Sequence, residues 1–205
     1  MSKRGSSYIT GGTGDLNPQW YSTTVSNITG SFATFSISTP PGIGLTTGAK
    51  PLAMEILKIC YELNGGTSPA TVMIGATSFA PGATTYGEQG ARIYLSSKNF
   101  ATTEPSLSFG DATVLDMLDY RIGVYESTAA STLAFTFPVS PIYHDLTDGA
   151  GHGILYANQQ LYIGTVFSGN WGNSGQGTVR IKILYREKYI NQSELLGLVL
   201  QSNQN

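Results

Sequence analysis

Charge is what this sequence has least of. Its 205 residues include 11 Lys and Arg and 13 Asp and Glu, so 12% are charged, where an ordinary soluble domain has about 25%. A net charge of −2 argues against a surface given over as a whole to nucleic acid or anionic membrane, and any such contact must be local. Cysteine is nearly absent: Cys60 stands alone, which excludes an intrachain disulfide and a cysteine-built zinc site. Its setting, Ile59-Cys60-Tyr61, reads as a small buried apolar group. Long hydrophobic runs are also missing. Leu195 to Leu200 is far too short to cross a bilayer. The start, Met1-Ser2-Lys3-Arg4-Gly5, leads into Ser, Gly and Thr rather than a signal-peptide core, which predicts cytosolic synthesis without secretion. No repeat with a period of 20–50 residues is visible, which disfavours propellers and solenoids.

Glycine, serine and threonine are abundant, with 25, 21 and 23 residues making up a third of the chain, and 11% of residues are aromatic. That composition folds, and the length suits one domain. Residues 1–18 are Gly/Ser/Thr-rich and end in Asn17-Pro18, predicting a flexible N-terminal arm, with a single domain over 19–205. From Trp20 onward short β-branched and aromatic runs recur between Gly, Pro, Asn and Asp, the pattern of an all-β sandwich. Strands are predicted near 20–28, 31–38, 52–63, 70–79, 91–97, 121–126, 131–138, 153–167, 177–190 and 194–200. Asn64-Gly65-Gly66 predicts a hairpin joining 52–63 to 70–79. Met54, Leu57 and Tyr61 also fit a helix stripe, but the β pattern around them favours strand. One short helix is predicted over 112–119, where Asp111 could cap and Val114, Leu115 and Leu118 share a face. About eight antiparallel strands with one short helix fit a single jelly-roll β-sandwich.

Two clusters could carry chemistry. Both histidines lie in Tyr143-His144-Asp145-Leu146-Thr147-Asp148-Gly149-Ala150-Gly151-His152-Gly153. Asp145 and Asp148 could ligate calcium, or His144, Asp148 and His152 a transition metal. The favoured reading is a turn, because Asp148-Gly149 is a turn dipeptide and Asp145 can bond nearby backbone. The second cluster is a basic stripe. Arg180, Lys182, Arg186 and Lys188 share one parity along a strand, about 6.6 Å apart at successive same-face positions, so they could follow a nucleic-acid backbone. The plain alternative is a solvated strand face. Gly11-Gly12-Thr13-Gly14 lacks the Lys-Ser/Thr ending of a phosphate loop, and there is no Gly-x-Ser-x-Gly elbow. No enzyme, cofactor, catalytic metal or small-molecule substrate is expected. The sequons at Asn27-Ile28-Thr29 and Asn191-Gln192-Ser193 read as chance matches.

The few charges are unevenly spread. Between Gly5 and Ala49 only Asp15 is charged, and between Ser127 and Val179 only Asp145 and Asp148. Surfaces so poor in charge suit contact with further copies of the chain. Three segments carry a resemblance: Leu52-Ala53-Met54-Glu55-Ile56-Leu57-Lys58-Ile59; Tyr143 to Leu155; and Val179-Arg180-Ile181-Lys182-Ile183-Leu184-Tyr185-Arg186-Glu187-Lys188 with Glu194-Leu195-Leu196-Gly197 and Gln201-Ser202. Together they resemble capsid proteins of small icosahedral viruses, most of all those of small circular single-stranded DNA viruses. The resemblance implies a jelly roll that self-assembles into a smooth icosahedral shell around a genome, located in the virion. Many such proteins begin with a long basic arm, whereas this one offers only Lys3 and Arg4, which with the stripe are the expected nucleic-acid-facing residues. A lectin-like sandwich stacking sugars on Trp20, Trp171 and tyrosines is the alternative, as is a minor spike or vertex protein.

Overall fold

The computed structural model describes residues 17–28, 32–44, 50–65, 85–101, 113–126, 141–168 and 177–203. Among them are nine strands and one helix: β1 (Gln19–Ile28), β2 (Ala33–Ser38), β3 (Leu52–Gly65), β4 (Thr85–Ser96), β5 (Val114–Glu126), β6 (Ile142–Asp145), β7 (Ile154–Tyr156), β8 (Gln160–Ser168), β9 (Gly177–Tyr189) and α1 (Gln192–Asn203). One sheet runs β1-β9-β3-β6, with β7 also on β3, and the other runs β2-β8-β4-β5. Every strand pairing is antiparallel. Two facing antiparallel sheets, in which every neighbouring pair but β4-β5 is non-consecutive in sequence, form the jelly-roll sandwich that the strand pattern predicts.

Alternation builds the core between the sheets. Val179, Ile181, Ile183 and Tyr185 of β9 are buried, as are Ile56, Ile59, Tyr61 and Leu63 of β3; Ile93 and Leu95 of β4 and Leu161, Ile163 and Phe167 of β8 face them. A bulge between Ile56 and Lys58 restores the inward parity of β3 after Leu57. It also explains why Met54, Leu57 and Tyr61 fall at helix-like spacing within a strand. Close contact between the sheets depends on Gly177, where a Cβ would lie 1.6 Å from Phe167 Cε2. Gly177→Ala should therefore cost about 1–3 kcal/mol by overpacking. Adding Phe167→Leu should recover part of that loss, as read by chemical denaturation of the two variants.

Several sequence expectations are corrected. The region predicted as a helix over 112–119 is extended from Val114 as the first half of β5, which continues through the predicted strand 121–126. Leu95 pairs with Asp116 and Ser96 with Val114, so the extra residue Leu115 is a bulge. The bulge turns Leu115 partly toward the core, so Leu115 and Leu118 imitate helical spacing. The capping residue Asp111 lies outside the described residues. The segment 194–200, predicted as a strand, is part of helix α1. Asn191 Oδ1 accepts the Glu194 amide at 2.8 Å and Glu194 Oε2 accepts the Asn191 amide at 2.8 Å, a capping box that overrides the apolar run. The predicted strand 153–167 divides into β7 and β8, which belong to opposite sheets. The crossing at 157–159 is held by Thr39, whose amide donates to Gln159 O at 2.9 Å and hydroxyl to Asn158 O at 3.1 Å. The predicted strands 70–79 and 131–138 lie outside the described residues, as do residues 1–16 of the expected arm. Between Met54 and Tyr61, β3 is flanked by β9 on one side and by β7 and β6 on the other.

Asn27 of the first sequon has φ +60° at the irregularity between Val25 and Ile28, a left-handed position that Asn tolerates.

Candidate functional site

The basic stripe lies where its parity predicts, on the outer face of the β1-β9-β3-β6 sheet, opposite the buried Val179, Ile181, Ile183 and Tyr185. The sequence did not reveal its acidic neighbours on β3. Arg180 Nη1 lies 3.0 Å from Glu62 Oε2. Arg186 Nε donates to Glu55 Oε2, and Lys188 Nζ is 4.0 Å from Glu55 Oε1. Lys182 is exposed. Three of the four cations are thus paired within the sheet, and Lys182 is the member that points its charge to solvent. Lys3 and Arg4 lie outside the described residues.

Glu55 is the main electrostatic anchor of this face. It is 1% exposed, and its Oε1 accepts the Gly153 amide at 3.1 Å. Arg186 also donates from Nη2 to Gly151 O at 3.1 Å. Strands β3 and β9 and the loop before β7 therefore meet at one carboxylate. Burial pushes the Glu55 carboxyl up, but Arg186, the Gly153 amide and Lys188 together hold it below its ordinary value. A Cβ on Gly153 would lie 2.0 Å from Ile56 O, so only glycine lets the loop come this close to β3. An isolated acid in the apolar run Leu52–Ile59 was the available signal for this site.

The His/Asp segment is a folded turn. Asp145 Oδ1 accepts the Thr147 amide at 3.0 Å and the Thr147 hydroxyl at 2.7 Å. Asp148 Oδ1 accepts the amides of Ala150 at 2.9 Å and His152 at 3.0 Å, while His152 Nδ1 is 3.1 Å from Asp148 Oδ2. Gly149 and Gly151 supply the positive φ values, +81° and +89°. The Thr147 contacts hold Asp145, and chiefly the His152 amide holds Asp148, below the usual carboxylate range. Among the described residues no group of three or more His, Cys, Asp and Glu gathers as a metal site.

His144 points the other way, into the sandwich. Its Nδ1 lies 2.9 Å from Asp116 Oδ2, which also accepts the Tyr61 hydroxyl at 2.7 Å; the Tyr61 and His144 rings meet edge to face at 5.4 Å. Asp116 comes from β5 and its two partners from β3 and β6, so this network joins the sheets. The Tyr61 phenol is held well above its ordinary value, first by burial and then by the Asp116 charge. No local pattern signals this network, because the partners are 28 and 55 residues from Asp116.

Large apolar side chains stand exposed on two surfaces, and Tyr189 at the end of β9 is also exposed. Trp20 (50%) and Tyr143 (60%) lie on the outer face beside the stripe, and Leu196 (60%) and Leu200 (54%) lie on the outer side of α1. The inner side of α1, through Leu195 and Leu198, packs on Ala53, Ala157 and Ile190. Cys60 is buried, as its sequence setting implied. A recess of about 360 Å³ lies beside α1, lined by Val114, Leu115, Ile154, Leu155, Tyr156 and Leu198 among others. Among the described residues its lining includes no acid, histidine or lysine. Trp171 lies outside the described residues.

No protein-family model matches the sequence, nor does any curated protein. Solved structures of similar form include the unassembled Merkel cell polyomavirus VP1 pentamer, at 10% identity and TM-score 0.48, matched over 87% of this chain and 98% of that one. Merkel cell polyomavirus VP1 in complex with disialyllactose matches at 11% identity and TM-score 0.47, over 88% and 98%. Human polyomavirus 12 VP1 in complex with 3'-sialyllactosamine matches at 10% and 0.45, over 86% and 100%.

Proposed function

We propose that this chain is a non-enzymatic structural capsid protein whose copies assemble into an icosahedral shell enclosing a viral genome, of the kind its sequence resembles in small circular single-stranded DNA viruses. The observation that carries the reading is large apolar side chains left outside a jelly roll with few charges. Leu196 and Leu200 sit one turn apart on α1 and are more than half exposed, with Gly197 open between them. An interior glycine costs a helix about 1 kcal/mol relative to alanine, and here it makes room for close approach by another body. A helix apolar on both sides belongs in an interior, and a second copy of the chain would supply one. Each such contact is weak, but symmetry repeats it around a closed shell.

Electron microscopy and light scattering of the purified chain test this directly. Closed particles or symmetric oligomers are expected for the parent, and a monodisperse monomer at tens of micromolar across pH and salt would refute the reading. Leu196→Glu with Leu200→Glu should abolish assembly while leaving the melting temperature of the monomer nearly unchanged, because neither side chain contributes to the core.

A further inference from the structure

The outer face of the β1-β9-β3-β6 sheet combines features that a contact between copies would avoid. The registers place Trp20, Leu184, Lys58 and Asp145 side by side across it, with Ser22, Lys182, Cys60 and Tyr143 in the next row and Thr24, Arg180 and Glu62 beyond. Five basic residues, Lys58, Arg180, Lys182, Arg186 and Lys188, share the face with three acids, Glu55, Glu62 and Asp145. The excess is positive on a chain whose net charge is −2. Cores of protein contacts are depleted in Lys, Asp and Glu, whereas the outer side of α1 at Leu196, Gly197 and Leu200 is uncharged. The two exposed surfaces thus differ in chemistry.

Trp20 and Tyr143 stand at diagonal corners of this block, three strand spacings and one row apart, or roughly 16 Å. Lys182 and Lys58 lie between them. Among the described residues, the corresponding aromatic on the outer face of the opposite sheet, Tyr94, is fully buried, with Phe32 packed edge-on at 6.0 Å.

We propose that this face holds unpaired nucleotides, with bases stacking on Trp20 and Tyr143 while Lys182 and Lys58 take the intervening phosphates. The proposal rests on the capsid reading and names its interior partner as single-stranded nucleic acid. Unpaired bases are required because a duplex encloses its base faces and presents only phosphate to the sheet, whereas stacking on exposed rings accepts any base. Arg180 and Arg186 are paired with Glu62 and Glu55, and Lys58 Nζ lies 4.0 Å from Asp145 Oδ2, so the charge available is limited and Lys182 supplies most of it. Stacking therefore contributes a larger share of the affinity, and the salt dependence is shallow.

The test uses the full chain with fluorescein-labelled oligo(dT) and a labelled duplex of equal length, read by anisotropy at low salt. Tryptophan fluorescence in a Trp171→Phe background reports on Trp20, and light scattering on the same samples reports assembly. The single strand should bind more tightly than the duplex and quench Trp20. Trp20→Ala and Tyr143→Ala should each weaken oligo(dT) binding about tenfold, without preventing assembly, and Lys182→Gln should weaken it less. Unchanged Trp20 fluorescence, equal binding of duplex, or unaltered affinity in both aromatic variants would overturn the platform. So would loss of assembly in the aromatic variants, which would make the face a contact between copies. Particles that form without binding oligo(dT) sink only this proposal, whereas a parent that stays monomeric sinks the capsid reading.

Discussion

Glu55→Ala is expected to destabilise the protein by about 3–5 kcal/mol, because it leaves the Arg186 guanidinium without the buried carboxylate that compensates it. For a domain of this size that corresponds to a fall in melting temperature of about 10 °C. The Gly153 amide would lose its acceptor too, so the loop from Asp145 to Gly153 should gain hydrogen exchange ahead of the strands. The pH dependence separates charge from shape. The folded-state carboxyl is held below its ordinary value, so its stabilisation is fully present above the unfolded value of about 4.3 and is lost as pH falls through the folded value. Glu55→Gln should be less stable than the parent at neutral pH, and the gap should narrow as the pH drops below about 4. Chemical denaturation of both proteins between pH 3 and 7 checks this. A gap that stays constant would show that Glu55 contributes by packing alone.

Asp116→Ala should cost about 2–4 kcal/mol, since it strands the buried Tyr61 hydroxyl and removes the carboxylate that Tyr61 shares with His144 Nδ1. Tyr61→Phe alone should cost only about 1 kcal/mol, because Asp116 keeps its bond to His144. In the double variant the stranded hydroxyl is gone, so its loss should fall short of the sum by about 1 kcal/mol, a coupling a double-mutant cycle resolves. Additive effects would mean that the bond between the sheets carries no net stability.

The parts of this fold legible in the sequence are those whose signal is local. Alternation in Val179–Tyr185 gave both faces of β9, and Asp148-Gly149 gave the turn. Errors arose where a register irregularity shifts the pattern, as at Leu115, or where a cap outweighs an apolar run, as at Asn191 and Glu194. The stripe was visible as four cations of one parity, but Glu55 and Glu62, which neutralise most of it, reach it from a strand more than a hundred positions earlier. The same separation hid Asp116. Its inward-facing carboxylate interrupts the apolar rhythm of β5, and only the partners brought in by β3 and β6 explain why it is there. The sequence offers Trp20 as a sugar platform and Tyr143 within the segments of the resemblance, but it takes the pairing registers to place them on one face with Lys182.

The position of β9 between β1 and β3 also bears on how the chain acquires its structure. Both neighbours precede it by more than a hundred residues, and neither pairs with the other. While the ribosome works toward Gly177, the apolar sides of β1 and β3 have no strand between them to hold them in register. Such long-range pairing makes folding slow, because chain closure must precede any gain from contact. During that interval exposed strand edges favour aggregation. The sheet can close only when the last strand slots into a gap kept open for it, so encounters between copies before that moment would join partly folded chains rather than finished building blocks.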